Sequence, residues 1–276
     1  DTGETTKRSS VNINLEWMIV DGLRAVAQFS NHNRHSRSHF FVKNNPTTGT
    51  NIRPTKEAFT ETNRMDFQTY LNWKKTFAED HNIDVVAGYD YMKDKNNSID
   101  ARVQGAASDK IPTLNVGTSN ITNYPTSTRT DEVLISYFGR VNYNFREKYL
   151  LSFTMRADGS SKFAAGNRWG YFPAASAGWI VDEEAFWPQN KVVSSLKLRA
   201  SYGLTGNNGI GLYDTYGSYN SAYQYNGMST TTTGEMPNSN LTWESTTQVN
   251  AGLDMGLADD RVRVSFDYYD KVTRNL

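Results

Sequence analysis

Three histidines, His32, His35 and His39, crowd into one Ser/Asn/Arg-rich stretch, and imidazole is the side chain best suited to hold a metal or carry a proton near neutral pH. The chain has no cysteine to complete a thiolate set, and its fourth histidine, His81, lies toward the other end of the neighbouring strands. No acidic partner is evident for the three, so they read as a solvated loop and a surface protease site is disfavoured. Asp182-Glu183-Glu184 offers paired carboxylates for acid–base work. Asp182 also suits a helix N-cap with acidic residues in the first turn, and a short capped helix is the better reading. Gly206-Asn207-Asn208-Gly209-Ile210-Gly211 is glycine-rich but lacks the Lys-Ser/Thr and the strand-to-helix setting of a phosphate loop. Tyr213, Tyr216, Tyr219, Tyr223 and Tyr225 lie among Gly, Asn and Ser, a mixture that suits sugar stacking, a self-packing loop or a docked protein. No Ser/His/Asp set has interpretable spacing. The chemistry on offer is binding: no enzyme, no metal site and no cofactor are expected.

The elements that carry these residues follow a period of two. From Val133 to Phe145, Val133, Ile135, Tyr137, Gly139, Val141, Tyr143 and Phe145 fall on one side of a strand, while Ser136, Arg140, Asn142 and Asn144 fall on the other. The same reading gives ten strands. Further apolar sets are Val11–Ile19, Leu23–Phe29, Met65–Trp73, Ile83–Tyr91, Tyr149–Met155, Leu196–Leu204, Thr247–Leu257 and Val262–Tyr268, each taken at alternate positions. The segment from Tyr171 to Ile180 alternates poorly. No charge falls on the apolar sets. The opposite faces carry Glu16, Arg24, Asp66, Asp84, Asp90, Arg140, Arg156, Lys197, Arg199, Asp254, Arg263 and Asp267. A cation facing lipid at mid-membrane costs about 2–4 kcal/mol, which supplies a reason for the exclusion. Arg140, Asn142, Arg156, Arg199 and Arg263 are therefore expected to face a wet lumen, with Asp66, Asp254 and Asp267 as structural ion partners.

Connection lengths alternate as well. Asp21-Gly22, Arg146-Glu147-Lys148 and Ala258-Asp259-Asp260 are tight. Long polar stretches are expected at 34–60, 93–130 and 206–241, a shorter one at 158–170, and intermediate links at 74–82 and 181–195. Short turns at one rim and long loops at the other characterise outer-membrane barrels, the short rim being periplasmic. A soluble sandwich shares the short strands but rarely this regularity. Aromatics at strand ends, including Trp17, Trp73, Tyr143, Phe145 and Tyr149, suit an interfacial girdle. Composition agrees: 37% of residues are hydrophobic, 29 Lys and Arg balance 29 Asp and Glu, and no apolar run is long enough for a spanning helix. Nothing favours nucleic acid. Asp1-Thr2-Gly3-Glu4 has no basic or apolar leader pattern, so a secretory signal is expected to be cleaved or to lie outside this sequence. The expected fold is all-β, an antiparallel transmembrane β-barrel in the cell outer membrane.

Several motifs resemble one family. They are Tyr137-Phe138-Gly139-Arg140-Val141-Asn142-Tyr143, Lys148-Tyr149-Leu150-Leu151 and Arg156-Ala157-Asp158-Gly159-Ser160-Ser161-Lys162-Phe163. Trp169-Gly170-Tyr171-Phe172-Pro173-Ala174, Gly178-Trp179, Leu196-Lys197-Leu198-Arg199-Ala200-Ser201-Tyr202-Gly203 and Gly206-Asn207 follow, then Leu241-Thr242-Trp243-Glu244 and Asp267-Tyr268-Tyr269. In order and spacing the stretch 131–274 is similar to the barrel of SusC/RagA-type TonB-dependent transporters; residues 1–130 carry fewer signatures. The resemblance implies a barrel of about 22 strands around a plug, of which residues 1–276 supply about ten, with the plug and the remaining strands outside this chain. It implies import of glycan fragments or peptides, a SusD-like surface lipoprotein as lid, and energy from the TonB–ExbB–ExbD complex through an N-terminal region not in this sequence. The alternative is a passive porin-like channel, which lacks a plug; a β-sandwich adhesin is a further one.

Overall fold

A computed structural model describes residues 2–44, 52–119, 125–188 and 192–275. Thirteen strands occur among them: β1 (Thr2–Val20), β2 (Leu23–Phe41), β3 (Thr55–Phe77), β4 (His81–Ala106), β5 (Gly117–Ser119), β6 (Thr126–Phe145), β7 (Tyr149–Ser160), β8 (Trp169–Ile180), β9 (Val193–Asn207), β10 (Tyr219–Tyr225), β11 (Met228–Thr233), β12 (Glu244–Leu257) and β13 (Val262–Arg274). Ten of them follow one another in a single sheet, β1-β2-β3-β4-β6-β7-β8-β9-β12-β13, with β5 beside β4 and a separate β10–β11 hairpin. These ten are the ten expected from alternation. β8 forms despite its poor pattern, and Phe172 is the reason: it is apolar on the polar face because loops cover it there.

The strands run well past the apolar sets. β3 has 23 residues and β4 has 26, although about 9–11 suffice to cross a bilayer. Much of 34–60 and 93–130, expected as loop, is therefore strand. Those stretches are mostly polar, so no regular hydrophobic alternation marks them; backbone pairing and cross-strand side-chain pairs such as His39–Glu57 and Lys56–Asp100 keep them extended. The expected intermediate link at 74–82 shrinks to a turn, with Ala78 and Glu79 at positive φ. Arg146, Glu147, Ala258, Asp259 and Asp260 adopt the same left-handed conformation in the other short turns, as tight hairpins require. Gly22, at φ 77°, is held closer still: a Cβ there would run into the Lys74 carbonyl, which accepts no such intrusion while Lys74 N donates to Gly22 O at 2.7 Å.

The chain divides into two compact units. The first comprises Asp1–Ile13, Phe29–Phe67 and Met92–Glu132. Its loops are pinned by Asp109, which accepts from Asn44 N (2.9 Å) and Arg53 Nε (2.5 Å). The second comprises Asn14–Gln28, Gln68–Tyr91 and Val133–Leu276. Its register lines up whole rows of like character. Val141, Phe153, Ala175, Tyr202 and Val249 are successive partners across β6, β7, β8, β9 and β12. So are Tyr143, Leu151, Ala177, Ala200 and Ala251, which β13 continues with Tyr268. Aromatic side chains bound this apolar wall. Tyr89, Tyr137 and Trp169 lie at 5.3 and 5.9 Å between centroids; Phe145, Tyr149 and Trp179 lie at 6.0 and 6.4 Å. Tyr137 and Phe145 are eight residues apart on β6, about 27 Å along the strand before tilt. The apolar band of an outer-membrane barrel is about 25 Å tall. Val141 (42% exposed) and Phe153 (52%) belong to this wall, a state that water would penalise and hydrocarbon would not.

Candidate functional site

The opposite face of the second unit is polar, also in rows. Asn142, Ser152, Ser176, Ser201 and Asn250 are successive partners from β6 to β12. Ser152 Oγ donates to Asn142 Oδ1 at 2.7 Å, and Asn250 Nδ2 to Ser201 Oγ at 3.0 Å. These five line a concavity of about 920 Å³ together with Lys74, Lys197 and Arg199. Hydroxyls and amides can donate and accept at the same time, so a row of them gives a face that hydrogen-bonds polar solutes without committing to a charge. Ser152, Ser176, Ser201 and Asn250 escaped the sequence reading. Each has the right parity, but only the register shows that they share a row.

The charged residues of this face sort into two groups. Arg156 is bound: it reaches Asp158 (2.7 Å), Asp90 (3.7 Å) and Ser136 Oγ (2.8 Å). Arg199 is bound too, to Asp254 (2.7 Å) and Asp267 (2.9 Å). Asp267 lies on β13, one strand beyond β12, and the guanidinium crosses over Gly252. That glycine is the register partner of both residues, and a Cβ there would sit 2.7 Å from Arg199 Cζ and 2.8 Å from the Asp267 carboxylate. Arg140 and Arg263 are different: neither has an ion pair among the described residues. Arg140 lies beside Arg24, Asn72 and Asp84 around a smaller concavity of about 260 Å³. There Arg24 meets Glu16 (3.8 Å) and Asn72 (3.2 Å), and Asn72 donates to Asp84 (2.6 Å). Asp66, the third expected ion partner, pairs with Arg64 in the first unit (3.1 Å) and with none of the named arginines.

The tyrosines do not converge on one point. Tyr213 (φ 73°) and Tyr216 lie in the turns after β9, where the Tyr216 hydroxyl accepts from Arg168 at 3.5 Å. Tyr219 (78% exposed) and Tyr225 (76%) stand on the β10–β11 hairpin; the Tyr223 side chain lies outside the described ones. The turns beneath are built on a small core of Phe163, Phe172 and Trp243. Trp243 Nε1 donates to Arg168 O (2.9 Å), Arg168 Nε to Phe163 O (3.2 Å), and Thr215 to Lys162 O (3.0 Å). Gly170 and Gly206 leave the room that the Phe172 ring fills.

Two readings of the sequence need correction. The histidines lie on β2, not in a loop, and two have acidic neighbours: His39 Nδ1 is 2.7 Å from Glu57, and His35 is 4.0 Å from Glu61. His32 meets Ser10 Oγ at 2.9 Å. β3 supplies both glutamates from 18 and 26 residues away, a pairing that local spacing cannot show. Among the described residues no group of three or more His, Asp or Glu is placed to hold a metal. The second correction concerns Asp182–Glu184, which forms turns and not a helix. Asp182 accepts from Leu196 N at 2.7 Å. Glu184 accepts from the Tyr149 hydroxyl (2.6 Å) and from Trp179 Nε1 (3.1 Å). These bonds, Tyr149's first, hold its carboxyl below the ordinary value. The capping pattern was outcompeted by these tertiary acceptor roles. The carboxylate instead ties the β8–β9 connection to the aromatic boundary.

With this geometry in place, the comparisons with known proteins decide the family. The model of the family described as TonB dependent receptor-like, beta-barrel, matches residues 1–276. The chain belongs to the TonB-dependent receptor β-barrel family. It is 33% identical over 276 residues to the TonB-dependent receptor P3 of Formosa agariphila, covering 96% of this chain and 27% of that protein. It is 42% identical over 158 residues to the TonB-dependent receptor SusC of Bacteroides thetaiotaomicron, covering 55% of this chain and 16% of that protein. Among solved structures, the RagAB peptide importer in its closed-closed state superposes with a TM-score of 0.88 at 25% identity, over 99% of this chain and 30% of that one. The chain thus spans between a sixth and a third of the relatives it matches. Members of this TonB-dependent family are outer-membrane receptors and transporters, and the SusC/RagA resemblance read from the motifs is correct. The expected all-β antiparallel barrel architecture is correct as well.

Proposed function

We propose that this chain is the wall of an importer, in which the polar rows face the lumen and the apolar rows face lipid. The observation that carries the reading is the row-by-row segregation across β6–β12: one residue step exchanges Val-Phe-Ala-Tyr-Val for Asn-Ser-Ser-Ser-Asn. Strand pairing that left either edge of the sheet open would strand backbone donors in hydrocarbon, so the whole protein closes the barrel with further strands. A plug occupies the lumen, and TonB–ExbB–ExbD supplies the energy. The short turns at Asp21, Glu79, Glu147 and Asp259 form the periplasmic rim; the β10–β11 hairpin stands at the extracellular rim. The cargo is a glycan fragment or a peptide, and a SusD-like lipoprotein covers the extracellular mouth. Tyr213, Tyr216, Tyr219, Tyr223 and Tyr225 contact cargo or lid. Of the four arginines, Arg140 and Arg263 are left for cargo or plug, whereas Arg156 and Arg199 are structural. The experiment is uptake of labelled oligomers by cells carrying the complete protein, with and without a functional TonB. Import that stops when TonB is lost is the expected result. Import that continues without TonB selects the passive channel instead.

A further inference from the structure

Within the first unit, Phe40 lies near the end of β2, 39% exposed, beside a concavity of about 530 Å³ that Ser38, Lys56, Arg102 and Gln104 also line. His35 meets Glu61 at 4.0 Å and His39 meets Glu57 at 2.7 Å. β2 and β3 therefore run antiparallel there, and alternation puts Phe40 opposite Lys56 on the other face. Lys56 Nζ lies 2.8 Å from Asp100 Oδ2 on β4. Phe40, Lys56 and Asp100 thus form one row across three strands, with about 10 Å between the outer two backbones. Arg102, the next residue of β4 on that face, donates from Nε to Asp100 Oδ1 at 3.0 Å. Each oxygen of Asp100 is taken by one cation. The bond from Arg102 first, and that from Lys56 next, hold its carboxyl below the ordinary value, so it stays ionised. The shared carboxylate fixes both cationic heads, while the terminal nitrogens of Arg102 and two protons of Lys56 Nζ are left to donate elsewhere. Two cations against one carboxylate make a hydrogen-bonding cluster more than a charged one.

We infer that this concavity is a sugar-binding subsite, and that the cargo is a glycan with one ring stacked on Phe40. The inference rests on the import reading and names the substrate class. A pyranose has an apolar C–H face and a rim of hydroxyls that both donate and accept. Phe40 matches the face. Lys56 and Arg102 donate to the rim, and Ser38 and Gln104 can donate and accept there. The row from Phe40 through Lys56 to Asp100 sets these groups side by side, as a ring and its hydroxyls require. A peptide asks for something else. Extended peptides are held through the backbone of an open strand edge, and β2, β3 and β4 each have a paired strand on both sides. The concavity therefore offers a cargo side chains, not a strand edge.

The test uses the complete protein in detergent. Maltotriose, cellotriose and xylotriose are the neutral sugar probes, trigalacturonate the charged one and trialanine the peptide. At least one neutral trisaccharide is expected to bind, and added salt should leave that binding unchanged. Phe40→Ala should weaken it about tenfold, whereas Phe40→Tyr should retain it. Gln104→Leu and the Lys56→Met/Arg102→Met pair should each weaken it several-fold. Asp100→Asn frees two cations; it should lower neutral-sugar binding and add salt-sensitive binding of trigalacturonate. Lowered sugar binding without that gain overturns the positioning role of Asp100. Heat-modifiability on gels reports that each variant is folded. If none of the three trisaccharides binds, if binding survives Phe40→Ala, or if trialanine binds in a Phe40-dependent way, the sugar subsite is overturned. TonB-dependent uptake by a protein that binds none of these sugars overturns the subsite and leaves the import reading standing. Sugar binding that responds to Phe40→Ala in a protein that imports nothing overturns the import reading and leaves the subsite.

Discussion

Val141 and Asn142 are adjacent in sequence and lie on opposite walls. Val141 belongs to the apolar row that Phe153 and Tyr202 continue, and Asn142 belongs to the row of Ser152 and Ser201. Val141→Arg should cost about 2–4 kcal/mol by placing a cation in hydrocarbon, and the folded fraction in isolated membranes should fall. Asn142→Arg should assemble normally, since that wall already accommodates Arg140 and Arg199. The reverse pair of outcomes would mean the strand faces are exchanged. Glu184 supplies a second residue-scale prediction. Its folded carboxyl is depressed below 4.5 by Tyr149 and then Trp179, so the tie contributes above the unfolded carboxylate value and is lost as pH falls through the lower folded one. Difference fluorescence between the unaltered protein and Glu184→Gln isolates Trp179 from the other tryptophans. A transition with its midpoint below pH 4.5 is expected, and a difference signal that stays flat from pH 7 to 3 would contradict it.

At the scale of elements, the turns after β7 and β9 have no regular structure of their own and depend on Trp243. Its ring packs on Phe163 (5.2 Å) and Phe172 (5.3 Å), and its indole nitrogen closes on Arg168. Asn167 adds bonds to Ser239 O and Leu241 O. Trp243→Ala removes a buried aromatic worth about 3–5 kcal/mol in a packed core. The sheet is held by its own backbone ladder and should persist. The expected outcome is a protein that still shifts on heating in gels but is cut rapidly by protease between residues 208 and 218. Resistance equal to that of the unaltered protein would show that Phe163 and Phe172 hold the turns alone. The same logic explains β8: its polar face carries Phe172 because this covered patch is dry.

At the scale of the whole molecule, strand direction decides which connections share a rim. The pairings from β6 to β13 are antiparallel, and Lys74 N–Gly22 O and Arg146 N–Asp80 O bonds link the neighbouring turns, so the turns at 21–22, 146–148 and 258–261 lie at one end of the sheet and the β10–β11 hairpin belongs to a connection at the other. The chain contains no cysteine, so single introduced thiols report cleanly. Asn226→Cys should react with an impermeant maleimide on intact cells, and Asp259→Cys should react only after the outer membrane is opened. Labelling in the opposite order would invert the rims and the direction of transport with them.

Sequence alone determined the ten consecutive strands of the main sheet, their alternating faces and the family resemblance, because side chains alternate along any strand; it did not show β5 or the β10–β11 hairpin. It also marked Arg140, Arg156, Arg199 and Arg263 as residues of the polar face. Tertiary structure decided what those residues do. Arg199 became structural because register placed Gly252 between it and Asp267; Arg140 has no ion partner among the described residues because Asp84, the carboxylate beside it, is engaged by Asn72 and Lys74. Tertiary structure also turned expected loops into the outer halves of β2, β3 and β4, and it brought His39 to Glu57. The physical reason is common to all of these. Alternation is a property of one strand and is written in consecutive residues, whereas register joins residues dozens of positions apart and is set by the pairing of whole strands.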